Sequence, residues 1–191
     1  MRILVLNGSP RPNGNTKRMI EAFREGAVPA GHQVDVMDVC RMKIGGCLAC
    51  EYCHTKGRGA CIQKDDMQKI YALLKEAEML VIASPIYYHG ISGQLKCVLD
   101  RFYSAAYPGK PPRLKKAAMI LSSGDAGMYD GAMFSYQGDF LDFLGLEDMG
   151  YSRPMAGKTV PPANLRSCAP LAQDCNKFKL SARPCLKNQG R

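Results

Sequence analysis

Apolar and polar positions along the chain fall into two periods. Residues 2–7 form a short apolar run that ends at Gly8. A run that is apolar on both faces suits a central parallel strand. Met19, Ile20, Phe23 and Ala27 then recur at helical spacing, which predicts a helix to about Gly26 with Asn15-Thr16 as its cap. Gln33–Val39 alternates and reads as a second strand. Asp65-Asp66 opens the next helix, where acids suit the positive N-terminus, and Met67, Ile70, Leu73, Leu74 and Ala77 make one stripe. Met79–Ala83 is a third apolar strand, broken at Ser84-Pro85. Leu95, Val98, Leu99 and Phe102 give a helix over Gln94–Tyr103. Ala117–Leu121 is a fourth strand, Met133–Leu144 a helix and Met149–Arg153 a short fifth strand.

Strands that alternate with helices predict an α/β fold, a doubly wound parallel sheet with right-handed crossovers. Beyond Gly157 the pattern stops. Pro161-Pro162 interrupts the chain, Phe178 is the one aromatic residue after Tyr151, and a closing helix is not convincingly encoded. The expected organisation is a body over 1–157, with a cysteine-rich insertion at 45–63, and a basic, poorly packed tail over 158–191.

Composition narrows the class. At 191 residues the chain is one domain's worth, and 46% hydrophobic with 23% charged residues excludes a disordered chain, a collagen or a coiled coil. The net charge of +9 looks like a nucleic-acid signal, but residues 1–150 hold 18 Lys/Arg against 16 Asp/Glu. The remaining 41 residues hold 8 against one. The excess is therefore a spread-out tail rather than a basic face, so no nucleic-acid partner is expected. No apolar run approaches the ~18–20 residues of a membrane span, and the opening run is too short for a signal peptide. The expectation is a cytoplasmic protein with reduced thiols and no membrane partner.

The first strand runs into Gly8-Ser9-Pro10-Arg11-Pro12-Asn13-Gly14-Asn15-Thr16 and then a helix. Strand, polar loop and helix N-terminus together make an anion site. Ser9, Asn13, Asn15 and Thr16 supply polar side chains, and Arg11 supplies charge. Asn15 stands where a Walker loop needs lysine, which argues against ATP or GTP hydrolysis, and the dinucleotide G-x-G-x-x-G is absent. A single terminal phosphate suits this loop; an ordinary polar βα loop is the plainer alternative.

Two more loops belong to the same sheet edge. One is Ser84-Pro85-Ile86-Tyr87-Tyr88-His89-Gly90, and the other starts Ser122-Ser123-Gly124-Asp125. In open α/β sheets ligands sit outside the strands' carboxyl ends. A phosphate loop, an aromatic loop and a small polar loop would together fit a flat aromatic ligand with a phosphate tail, and flavin mononucleotide (FMN) is the natural candidate. Ordinary packing remains the simpler explanation for any single tyrosine.

Gly8-Ser9-Pro10-Arg11 with Gly14-Asn15-Thr16, Ser84-Pro85-Ile86-Tyr87, and Gln94-Leu95-Lys96 through Asp100-Arg101-Phe102 resemble the NADPH-dependent FMN reductase branch of the flavodoxin-like proteins. The resemblance covers roughly residues 1–155. It implies a five-stranded sheet in the order 2-1-3-4-5 and a dimer or tetramer. It implies FMN held at its phosphate by Ser9, Arg11, Asn15 and Thr16, and along its ring by Pro85, Ile86 and Tyr87. Asn13, Tyr88, Ser122 and Gly124 complete the expected cofactor-binding set.

Cys47-x2-Cys50-x2-Cys53-x7-Cys61 is the most specific feature of the chain. Two-residue gaps let successive thiolates turn toward one centre, and a fourth closes the cage. Structural zinc more often uses two C-x2-C hooks far apart, so a [4Fe–4S] cluster is favoured, with zinc and bare thiols left open. The motif, followed by Asp65-Asp66-Met67, resembles the iron–sulfur flavoprotein subgroup. Cys40 and Cys97 read as small buried hydrophobes, and Cys168, Cys175 and Cys185 lack ligand spacing. The functional expectation is an FMN-dependent oxidoreductase in which the flavin carries the chemistry and no protein acid or base is essential. The cluster would couple two-electron and one-electron partners such as NAD(P)H, a quinone or a ferredoxin. A cluster-free NAD(P)H-dependent FMN or quinone reductase, a non-catalytic flavin carrier or sensor, and a zinc-stabilised binding module are the alternatives.

Overall fold

The computed structural model describes residues 1–153, so the tail over 158–191 and the doubtful closing helix lie outside the described residues. Strands β1 (Arg2–Asn7), β2 (Gln33–Asp38), β3 (Met79–Tyr87), β4 (Gly90–Ile91), β5 (Lys116–Ser122) and β6 (Glu147–Ser152) form one sheet in the order 2-1-3-5-6. These five strands pair in parallel, and β4 is a short antiparallel addition to β3. Counting the parallel strands alone recovers the expected order 2-1-3-4-5.

Burial explains the strand patterns. Ile3, Val5, Met79, Val81, Ala83, Ala118 and Ile120 pack on one face against Met19, Ile20, Phe23 and Ala27 of α1 (Asn15–Ala27). Leu4, Leu6, Leu80, Ile82 and Met119 pack on the other. That larger face is covered by α2 (Met67–Glu76), α3 (Gly93–Asp100), α4 (Phe102–Ala105) and α5 (Asp130–Tyr136). Helices on both faces bury the central strands completely, which is why they read as continuous apolar runs.

The structure departs from the sequence reading in several places. Asn15-Thr16 opens α1 instead of capping it; Gly14 is the cap residue and no side chain caps the helix. β3 does not break at Ser84-Pro85 but continues to Tyr87. β1 has ended by then, with Asn7 paired to Ala83, so Pro85 has a parallel neighbour only in β5 and its missing N–H interrupts no central ladder. The last helix also changes form: α5 widens into a π-helix over Gln137–Phe143. Buried Tyr136, Phe140 and Leu144 recur every four residues. An under-wound helix keeps that spacing on one face, and Leu144 N–H donates to the Asp139 carbonyl at 3.3 Å. β6 begins two residues earlier than the fifth strand expected from the pattern. Cys40 and Cys97 are half-buried rather than buried.

Candidate functional site

Gly8 turns the chain out of β1, and its N–H donates to the Ala83 carbonyl of β3 at 2.8 Å. A Cβ there would stand 2.7 Å from Ser92 Oγ and 2.8 Å from Leu95 Cβ, so glycine is what lets the loop meet the start of α3. The loop is braced internally. Ser9 N–H donates to Asn7 Oδ1 at 3.0 Å, and Arg11 N–H donates to Ser9 Oγ at 3.3 Å. Asn7 is tied in turn to Asp38 at the end of β2.

Ser9 and Thr16 are buried, Asn15 is half-buried, and Arg11 and Asn13 are exposed. The first-turn amides of α1 receive no side-chain cap. Such amides, with the helix dipole behind them, favour an anion. Lys17 is engaged by Glu21 and Asp38, which leaves Arg11 as the loop's cation.

A single hydrogen bond joins two of the loops. Thr16 Oγ1 and Ser122 Oγ are 2.8 Å apart and buried. Ser122 is also the register partner of Pro85, so the ends of α1, β3 and β5 meet at one point. Thr16, Pro85 and Ser122 are thus gathered, Ser9 is buried in the braced loop before α1, and Gly124 lies in the exposed loop beyond β5.

The β3 end is a tight hairpin. Tyr87 pairs with Gly90, leaving Tyr88 (φ 48°) and His89 (φ 63°) as a two-residue loop in left-handed geometry. Hairpins of this kind normally use Asn-Gly or Gly-Gly. Ile86 is buried in the larger core, whereas Tyr87 and Tyr88 are exposed. The helix start of α5 pins the hairpin, since a Cβ on Gly131 would stand 2.5 Å from the His89 carbonyl oxygen. Strain held at a loop tip commonly marks a ligand contact. Tyr88→Asn should relieve roughly 1 kcal/mol and raise the apoprotein melting temperature by about 2–4 °C. Calorimetry checks this, and an unchanged or lower Tm would show that the conformation is not strained.

The four cysteines line one small cavity together with Arg101, Tyr103 and Ser104. Cys47 and Cys50 are exposed, Cys61 is half-buried and Cys53 is buried. The loop wraps them through left-handed turns at Ala49, Glu51, Arg58 and Gly59. Gly59 N–H donates to the Cys53 carbonyl at 2.7 Å, and the Ser104 hydroxyl donates to the Gly59 carbonyl at 2.7 Å. Burial pushes the Cys53 thiol up, and charge on Cys61 and Cys47 pushes it further. The donor set and the shared cavity fit a thiolate-held metal centre. As placed, no three His, Cys, Asp or Glu side chains among the described residues form a ready cage.

One group the sequence reading missed anchors this loop. Arg101, at the C-terminal end of α3, is 1% exposed. Its Nη1 and Nη2 donate to the two Asp65 carboxylate oxygens at 2.8 and 3.2 Å, and Nη1 also donates to the Gly45 carbonyl at 3.0 Å. Burial alone would raise the Asp65 pKa, but Arg101 and the Gly45 N–H outweigh it and hold the carboxyl below its ordinary value. Arg101 lies three residues after Val98, on the buried stripe of its helix. A charge on an apolar stripe was the available signal.

An open doubly wound sheet with helices on both faces and its loops gathered at the strands' carboxyl ends defines a flavodoxin-like α/β protein. The chain belongs to the NADPH-dependent FMN reductase family, whose model matches residues 1–137. Among curated proteins it is 31% identical over 138 residues to an iron–sulfur flavoprotein of Archaeoglobus fulgidus, covering 72% of this chain and 56% of that one. It is 32% identical over 101 residues to an iron–sulfur flavoprotein of Methanocaldococcus jannaschii, covering 53% of this chain and 51% of that one. The chain therefore spans about half the length of these two relatives. A solved NAD(P)H:quinone oxidoreductase from Methanothermobacter marburgensis superposes with a TM-score of 0.74 at 22% identity, over 95% of this chain and 98% of that one. No helix among the described residues is long and apolar enough to cross a membrane.

Proposed function

We propose that this protein is an FMN-dependent oxidoreductase that also carries a [4Fe–4S] centre on Cys47, Cys50, Cys53 and Cys61. The flavin part rests on the buried Thr16–Ser122 contact, which joins the phosphate loop to the end of β5 beside Pro85. The α1 amides, Ser9, Asn15 and Thr16 would hold the phosphate, with Arg11 and Asn13 at its solvent side. Pro85, Ile86, Tyr87 and Tyr88 would border the ring, and Ser122 and Gly124 would close the space between.

FMN supplies hydride or single-electron chemistry when bound, and an iron–sulfur centre passes single electrons. The chain's own residues bind and orient. The uncapped helix end neutralises the phosphate, the pinned hairpin presents aromatic surface, and the thiol loop binds iron. NAD(P)H, a quinone or a ferredoxin-type protein are the redox partners this chemistry fits.

The likeness of the motif to proteins named iron–sulfur flavoproteins supports the cluster, as does the shared cavity of the four cysteines. The test is the visible spectrum of protein purified without air, with iron and sulfide content. Flavin bands plus a broad brown absorbance that bleaches on dithionite fit the proposal. Flavin without iron leaves the simpler NAD(P)H-dependent FMN or quinone reductase. Flavin with no turnover of any acceptor indicates a carrier or sensor, and a colourless zinc protein removes the flavin reading.

The phosphate loop gives a sharper expectation. Arg11→Ala should weaken FMN by about 1.5–3 kcal/mol, the worth of a charged hydrogen bond, while riboflavin binding changes little. Titration calorimetry with both flavins decides this. Equal losses for the two would move Arg11 out of the phosphate site.

A further inference from the structure

Arg101 has five N–H donors, and the hydrogen bonds to Asp65 and Gly45 use three of the four on Nη1 and Nη2. Its Nε is buried and has no hydrogen-bond partner among the described residues. An unsatisfied buried donor on a charged group is costly, so its persistence asks for a reason. The same side chain lines the cavity of Cys47, Cys50, Cys53 and Cys61. The Tyr71 hydroxyl, which sits beside it, donates instead to the Arg101 carbonyl at 3.1 Å.

We infer that Arg101 is a positioning and tuning residue for the cysteine site: its Nε–H is held in reserve for a sulfur of the bound centre. This inference rests on the cluster reading above. The Asp65 pair locks the guanidinium plane, Gly45 ties it to the start of the loop, and Nε is the donor nitrogen left without a partner on a side chain that lines the cavity. Hydrogen bonds to cluster sulfurs stabilise the more negative, reduced form and raise the potential. Lysine cannot replace it, because an ammonium lacks the planar fork that serves Asp65 and a third acceptor at once.

The test uses the full chain, loaded with iron and sulfide without air. Dithionite supplies the single electron that reduces the centre. Wild-type protein is grown with arginine carrying 15N at Nε. Magnetic resonance of the reduced centre should show a weak 15N coupling that is absent without the label and absent in Arg101→Lys. Arg101→Lys should also lower the midpoint potential by roughly 59 mV, a tenfold change in the one-electron equilibrium.

Asp65→Asn loosens the same anchor but removes a negative charge and keeps the Nε–H, so its potential should rise. A merely structural anchor predicts no 15N coupling in wild type and no fall in potential with Arg101→Lys. Wild-type protein with full iron and no 15N coupling overturns the assignment and leaves the cluster intact. An Arg101→Lys potential that stays the same or rises overturns it as well. Wild-type protein that takes up no iron overturns both the cluster reading and this inference.

Discussion

Serine in place of Cys47, Cys50, Cys53 or Cys61 is expected to abolish stoichiometric iron and sulfide in protein made without air, one residue at a time. The oxygen of serine is a harder and far less acidic ligand than a thiolate, so it holds the iron of a sulfide cluster much more weakly than sulfur does. Cys53 should be the most sensitive. It is the buried member, and its own carbonyl accepts the bond that closes the loop at Gly59. FMN content should stay near wild type in all four variants. The flavin contacts lie on the α1, β3 and β5 loops, and none of the four cysteines is part of them. Cys40→Ser and Cys97→Ser serve as controls and should retain iron, since neither residue lines the cavity. Metal and sulfide analysis with the visible spectrum reads the outcome. One tight zinc, with no iron after anaerobic reconstitution, would sink the cluster reading.

The parts of the fold legible in the sequence are those whose cause is local. β1, β3 and β5 are buried on both faces, so their apolar runs identify them; α1 and α2 show their buried stripes at helical spacing. The phosphate loop is legible for the same reason, because strand, polar turn and helix start are contiguous. What stayed hidden depends on distant partners. Thr16 and Ser122 are 106 residues apart, and Asp65 and Arg101 are 36 apart. No local period announces either pair. The Asp65-Asp66 pair reads as a favourable helix start, and Asp65 Oδ1 does accept from the Met67 N–H at 3.2 Å. Both oxygens also accept from Arg101, and Oδ2 takes the Gly45 N–H, a role visible only once α3 is docked. The β3 hairpin was hidden because Tyr-His does not advertise a left-handed turn, and the docking of α5 at Gly131 holds it there.

Asp65→Ala is expected to cost about 3–5 kcal/mol, because it strands a buried guanidinium rather than deleting a surface pair. For a chain of this length that corresponds to a fall of roughly 10 °C in melting temperature. Arg101 is 1% exposed and the Asp65 side chain 19%, so solvent screens the pair little. The Gly45 and Met67 N–H groups lose their acceptor at the same time, so damage should concentrate in the 45–63 loop. Hydrogen exchange should rise there before it rises in β1 or β3. The pH dependence has a definite sign. The Asp65 pKa is held below its ordinary value in the folded protein. Its stabilisation is therefore complete above the unfolded carboxylate value of about 3.9 and is lost as pH falls through the lower folded value. On acidification into that range wild type loses what Asp65→Asn never had, so the gap between their melting temperatures should narrow. Thermal melts of both proteins at neutral pH and near pH 3 measure it. A gap of constant width would mean that the carboxylate charge is not what holds Arg101 in place.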